Sequence, residues 1–147
     1  MDGEWDIVLF HHSFEHMEEP FKVIEKAASL LKKGGVCVLF IPICDSYAYR
    51  HYRENWVGLD APRHIYLYSV KSCRLLAERP GLHLEHYLHC STSFQFTGSE
   101  LYKKNLTLCE SDNGYFSKKE LKRFEKEARE LNRKGEGDQV AFYFRKS

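Results

Sequence analysis

Residues Trp5 to Pro42 read WDIVLFHHSFEHMEEPFKVIEKAASLLKKGGVCVLFIP. Ile7 to Phe10 is a short continuous run of strand formers, with Glu4 and Asp6 before it and His11 after it. Such a run needs cover on both faces, as in a parallel sheet with helices on each side. Phe21, Ile24, Ala28 and Leu31 then fall on one helical stripe. Glu18 and Glu19 sit at its positive end, Pro20 suits the first turn, and Lys32 and Lys33 lie at the negative end. Gly34-Gly35 is expected to stop the helix by allowing positive φ. Val36 to Ile41 follows as a second buried strand, closed by Pro42. Strand, helix and strand at this spacing predict one right-handed βαβ crossover.

Working outward, a chain of 147 residues is expected to form a single domain over 1–147 with a real core. A net charge of +1 provides no global field for nucleic acid or an anionic membrane. Apolar runs are far too short to span a bilayer, and cytoplasm is the expected compartment. The cysteines (Cys37, Cys44, Cys73, Cys90 and Cys109) form no CxxC pair and are odd in number. They read as small hydrophobes of a reducing compartment. Aromatics reach 14% and concentrate between Tyr47 and Tyr68 and around Phe94 to Tyr102, where they line a pocket or complete a core.

Beyond the opening unit, short helical pattern surfaces at Tyr47 to Tyr52. Ser69 is an N-cap for a helix through about Arg79, with Val70, Cys73, Leu76 and Ala77 inward and Pro80-Gly81 ending it. Leu82 to Leu88 is a strand with Leu82, Leu84, His86 and Leu88 opposed to His83, Glu85 and Tyr87. Residues 90–116 carry weak periodicity and are expected to be an insertion. Ser117-x-x-Glu120 is a capping box for a charged helix through about Arg133, with Leu121, Phe124, Ala128 and Leu131 on one face. Gln139 to Lys146 alternates as a last strand.

The set Trp5-Asp6-Ile7-Val8, Ser13-Phe14-Glu15-His16-Met17-Glu18-Glu19-Pro20 and Leu30-Leu31-Lys32-Lys33-Gly34-Gly35 resembles class I S-adenosylmethionine-dependent methyltransferases. It follows their pattern of a hydrophobic strand, L-E-H-x-x-D-P, a helix, L-K-P-G-G and a strand, with Lys33 in place of the usual proline. Trp56, Asp60, Pro62, His64, Ser69 and Ser72, with Leu75-Leu76 and Gly81, resemble the branch acting on small molecules. The resemblance implies an α/β, partial Rossmann-like sheet whose four strands are equivalent to the family's fourth, fifth, sixth and reversed seventh. In that family the strand order is 3-2-1-4-5-7-6. The Gly-rich loop that holds the cofactor's methionine end has no counterpart here, so the chain is expected to correspond to the C-terminal half alone. Cofactor binding by this chain alone is then expected to be weak or absent, and the Ile7–Phe10 strand would be an edge open to pairing with a second copy or an N-terminal half.

The same resemblance places Phe10, His11 and His12 beside the methyl donor. Methyl transfer mainly needs alignment of donor and acceptor, with a base to take a proton. His12 or His64 is expected in that role, since histidine titrates near neutrality. Trp56, Asp60 and Tyr66 are expected on the acceptor side, where aromatic loops shape pockets. Glu15-His16 reads first as a helix-start structure. His12 and His16 are four apart, but HExxH lacks its general base here, and no metal is expected. The helix from Ser117 to Lys134 carries eight Lys/Arg and four Glu, with Glu125–Arg129 and Glu130–Lys134 at pairing distance, which reads as a solvated face and no nucleic-acid contact. The leading expectation is a methyltransferase acting on a small-molecule acceptor and inactive by itself. The alternatives are a non-catalytic remnant or interaction module that dimerises or pairs with a separate half, and a metal or nucleic-acid binding module.

Overall fold

Four strands, β1 (Trp5–His11), β2 (Leu31–Pro42), β3 (Leu82–His89) and β4 (Gln139–Lys146), form one sheet in a computed structural model that describes residues 3–112 and 114–147. Their order is β1-β2-β4-β3. β1 runs parallel to β2, and β4 runs antiparallel to both its neighbours. This is the order, with its reversed last strand, that the resemblance implies. β4 sits inside the sheet because Val140, Phe142 and Phe144 alternate cleanly and bury completely.

Helix α1 (Pro20–Leu30) and helix α3 (Val70–Glu78) cover one face of the sheet. Ser69 and Ser72 close the expected capping box on α3, and Cys73, Leu76 and Ala77 are buried. Two details of α1 differ from the expected pattern. Phe21 is half-exposed beneath the Arg79 guanidinium, 5.2 Å from the ring centre, and Ala27 takes its place in the core. The helix also ends before Gly34-Gly35: Leu31 is already extended and begins β2, so Lys32 and Lys33 belong to the strand. The glycines absorb an irregularity in the β1–β2 register between the Trp5–Leu31 and Ile7–Val36 pairs, with Gly34 at φ 77°.

Strand β3 contains a second irregularity, between Leu84 and His86. The bulge reverses the alternation beyond it, so Leu88 is exposed while Tyr87 meets the Phe142 ring at 5.8 Å. In β1, Val8 and Phe10 pack toward the core, but Ile7 and Leu9 are 62% and 58% exposed. The expectation of cover on both faces is therefore met on one face only.

A second core is built by α2 (Tyr47–Tyr52), α4 (Phe94–Lys103) and α6 (Lys118–Lys134) around Trp56, Phe96 and Phe124. A short helix α5 (Cys109–Asp112) precedes α6. α4 lies in the stretch whose periodicity is weak, because it buries Gln95, Thr97 and Ser99 along with Phe96. Ser99 Oγ donates to the Gln95 carbonyl at 2.6 Å and accepts from the Val57 amide at 3.0 Å. Gly98 permits this approach, since a Cβ there would stand 2.6 Å from Val57 Cγ2. α6 has its capping box, and Phe124, Ala128 and Leu131 face inward. Among the described residues the ion pair along it joins Lys126 and Glu130 at 3.9 Å, in place of the two expected pairs. Among the described residues no helix is long and apolar enough to cross a membrane.

Candidate active site at the carboxyl end of the sheet

β1 and β2 end, and β4 begins, at one edge of the sheet, so the residues just beyond them converge there. His12 leaves β1 with φ 47°, its amide still donating to the Phe40 carbonyl at 2.9 Å. A 3-10 turn, Phe14–His16, follows. The loop after Leu59 is strapped to this turn: the Ile65 amide donates to the Glu15 carbonyl at 3.0 Å, and His16 Nδ1 meets the Arg63 carbonyl at 2.8 Å. Between these segments and α4 lies a cavity of about 450 Å³. Phe40, Val57, Phe94, Tyr102 and Leu108 supply its apolar lining; His11, His12, Asp60, His64, Asp138 and Gln139 are among its polar groups.

Glu15 is fully buried behind this wall, and neither carboxylate oxygen has a hydrogen-bond partner among the described residues. The nearest imidazole nitrogens are His12 Nδ1 at 3.6 Å and His64 Nε2 at 3.8 Å. Burial by itself raises the Glu15 carboxyl, but His12, the residue's own backbone N–H and His64 together outweigh it and hold the group below the usual carboxylate range. His64 is itself mostly buried, with Nδ1 2.9 Å from the Gly58 carbonyl and Nε2 3.7 Å from Asp60 Oδ2. A carbonyl only accepts, so His64 and His16 each carry their proton on Nδ1. Asp60 is also held by Arg63, whose Nη2 donates to Oδ1 at 2.7 Å.

Across the cavity Asp138 is 1% exposed, and Trp56 Nε1 donates to its Oδ2 at 2.9 Å. Burial pushes the Asp138 carboxyl up, against the pull of the Trp56 hydrogen bond. Its Oδ1, with Gln95 Oε1 and Gln139 Oε1, has no partner among the described residues. All three residues belong to the cavity lining, with these oxygens themselves buried in its wall.

Of the residues picked out by sequence, His11, His12, Asp60 and His64 meet on this cavity. Phe10 packs edge-on against Phe14, at 5.3 Å, on the core side of β1. Trp56 is wholly buried in the second core and reaches the cavity only through Asp138. Tyr66 lies outside the lining, its hydroxyl donating to the Glu18 carbonyl at 3.2 Å. His12 and His16 do not pair; His16 instead lies beside His64, ring centres 4.8 Å apart. Asp138, Gln95 and Gln139 escaped the sequence reading, and Glu15 was read as structural. Asp138 sits in a Gly-rich turn and Gln95 in the unperiodic stretch, where nothing local marks a cavity wall.

The sequence pattern of the methyltransferase domain family matches residues 1–87. The chain belongs to that family, and its fold is that of the class I S-adenosylmethionine-dependent methyltransferases. Among solved structures it is similar to a SAM-dependent methyltransferase from Thermotoga maritima, with a TM-score of 0.59 at 20% identity over 99% of this chain and 57% of that one. A protein assigned as a sarcosine dimethylglycine methyltransferase from Galdieria sulphuraria gives 0.57 at 20% identity, over 99% and 54%. Mycolic acid cyclopropane synthase CmaA1, complexed with SAH, gives 0.53 at 17% identity, over 99% and 57%. The chain thus spans about half the length of these structures. No curated protein sequence matches it.

Proposed function

We propose that this chain forms the acceptor side, and one wall of the cofactor side, of a methyltransferase acting on a small hydroxyl- or amine-bearing molecule. The observation that carries the reading is the cavity at the carboxyl end of the sheet. It has an apolar lining, with His12 at the end of β1 and Asp60, His64 and Asp138 among its polar residues. Ligands of open α/β sheets bind at that end. Apolar contact holds most of an acceptor there, and the polar side chains orient it.

His11 and His12 fit one wall of an S-adenosylmethionine site, since His11 is exposed at the strand end and stacks on Phe40 with ring centres 4.6 Å apart. When bound, the cofactor supplies an electrophilic methyl group. His12 takes the proton that the acceptor loses, its Nδ1 edge facing Glu15. His64 serves it less well as a base, because both its nitrogens already face protein groups. The remaining cofactor contacts come from an element docked on β1, whose exposed Ile7 and Leu9 present an apolar edge.

Calorimetry with S-adenosylmethionine tests the cofactor side. Weak or undetectable binding to the chain alone is expected, and micromolar binding would overturn the need for a docked element. A double substitution, Ile7→Lys with Leu9→Lys, is expected to change the chain's own stability by less than about 0.5 kcal/mol, as at open surface sites. The same pair should abolish assembly with a second copy or a complementary half, read by sedimentation. Label transfer from the cofactor into a panel of small phenols, amines and alcohols tests the acceptor side, and label appearing only in RNA or protein would refute it.

A further inference from the structure

We propose that Glu15, His16 and His64 hold a divalent transition-metal ion in the wall of this cavity. One donor atom from each of the three lies within 4.8 Å of the others. Glu15 carries the argument: a fully buried carboxylate with no hydrogen bond to either oxygen among the described residues is a costly thing to keep. Its distance to His64 Nε2 says what would repay that cost. At 3.8 Å it is too long for a hydrogen bond. Two ligands each about 2.1 Å from a shared ion, however, stand roughly 3.4 Å apart at the tetrahedral angle and farther at wider angles.

The histidines are set for the same task. His16 Nδ1 is tied to the Arg63 carbonyl and His64 Nδ1 to the Gly58 carbonyl, at 2.8 and 2.9 Å. Both rings therefore turn an Nε2 lone pair outward from a backbone-anchored Nδ1–H, the arrangement that orients metal-ligating histidines. Two imidazoles and one carboxylate suit zinc, cobalt, iron or manganese rather than calcium or magnesium. Asp60 Oδ2, 3.7 Å from His64 Nε2, stands ready as a further donor. Three protein ligands leave coordination positions open, and Asp60 and His64 both line the cavity. What the ion does there rests on the acceptor reading above. An ion held by Glu15, His16 and His64 would make a bound acceptor hydroxyl more acidic, and His12 would take the proton released.

The test is titration of the untagged, metal-free chain with Co²⁺, followed by its visible absorption, then displacement by Zn²⁺. One saturable equivalent is expected, together with a Zn²⁺-dependent rise in melting temperature. Glu15→Gln and, at the exposed site, His16→Ala should each weaken Co²⁺ binding by about a hundredfold or more, since even outer-shell changes cost up to that much. Circular dichroism checks that both variants fold, and His83→Ala, on the exposed side of β3, should bind as the unaltered chain does. Absence of saturable binding, or binding unchanged in Glu15→Gln, overturns the proposal. Neither cofactor nor acceptor is present, so this outcome is independent of whether methyl transfer occurs.

Discussion

Trp56→Ala is expected to destabilise the fold by about 3–5 kcal/mol, the range for removing a large buried aromatic. Trp56 is fully buried, meets Tyr49 edge-on at 5.5 Å and holds the Asp138 carboxylate across the boundary between the second core and the sheet. Its removal leaves both Asp138 oxygens without a donor in a buried site. Against a typical stability of about 5–15 kcal/mol, such a loss leaves the fold marginal or unfolded. Trp56→Phe keeps most of the volume and should cost only about 1–3 kcal/mol, the penalty for an orphaned buried acceptor. Denaturant melts of the two variants separate packing from hydrogen bonding; a negligible loss in Trp56→Phe would show that the Asp138 contact carries little.

Asp138 itself gives the pH dependence. Burial raises its carboxyl in the folded state, so between the ordinary aspartate value and that raised value the folded chain holds more protons than the unfolded one. Stability attributable to this group therefore falls as pH rises through that window, and the penalty is full above it. Asp138→Asn keeps an oxygen for Trp56 Nε1 and removes the charge. It should be more stable than the unaltered chain at neutral pH, with the difference narrowing on acidification. A difference that stays constant down to acidic pH would disprove the linkage.

The second large effect is on chemistry. In an assembly that binds the cofactor, His12→Asn is expected to lower kcat by about a hundredfold to a thousandfold, within the span for loss of a general base. Asparagine tolerates the left-handed φ of 47° at this position, so the backbone at the end of β1 is preserved. Cofactor affinity should change little, and the defect should shrink as pH rises and the acceptor ionises without help. Steady-state label transfer against pH reads both features. A loss that appears wholly in KM would instead make His12 a binding residue.

The βαβ unit, the helices starting at Ser69 and Ser117 and the last strand were legible because each is a local matter. Period, cap and turn chemistry are written within a few residues of one another. The motif around Glu15-His16 added the sheet order, which local pattern could not supply. What failed locally did so for identifiable reasons. Gly34-Gly35 allows positive φ equally well at a helix end or in a strand irregularity, and only the register of β1 against β2 chose between them. The phase of β3 was lost at a bulge that nothing in Leu82–Leu88 announces. Helix α4 stayed hidden because a helix that buries Gln95, Thr97 and Ser99 has no clean apolar stripe.

The candidate site divides in the same way. By itself the sequence marked His11 and His12 at the end of the first strand and Asp60 and His64 in an acceptor-side loop, because each sits in a recognisable motif. Tertiary structure alone decided that Glu15 is buried without a donor, that His16 and His64 meet across 48 residues of chain, and that Asp138 closes the far wall. Burial and long-range distance are properties of packing, and no spacing along the chain encodes them. Trp56 shows the difference most plainly: its motif placed it beside the acceptor, while its size and apolar surface placed it in the core, one hydrogen bond away.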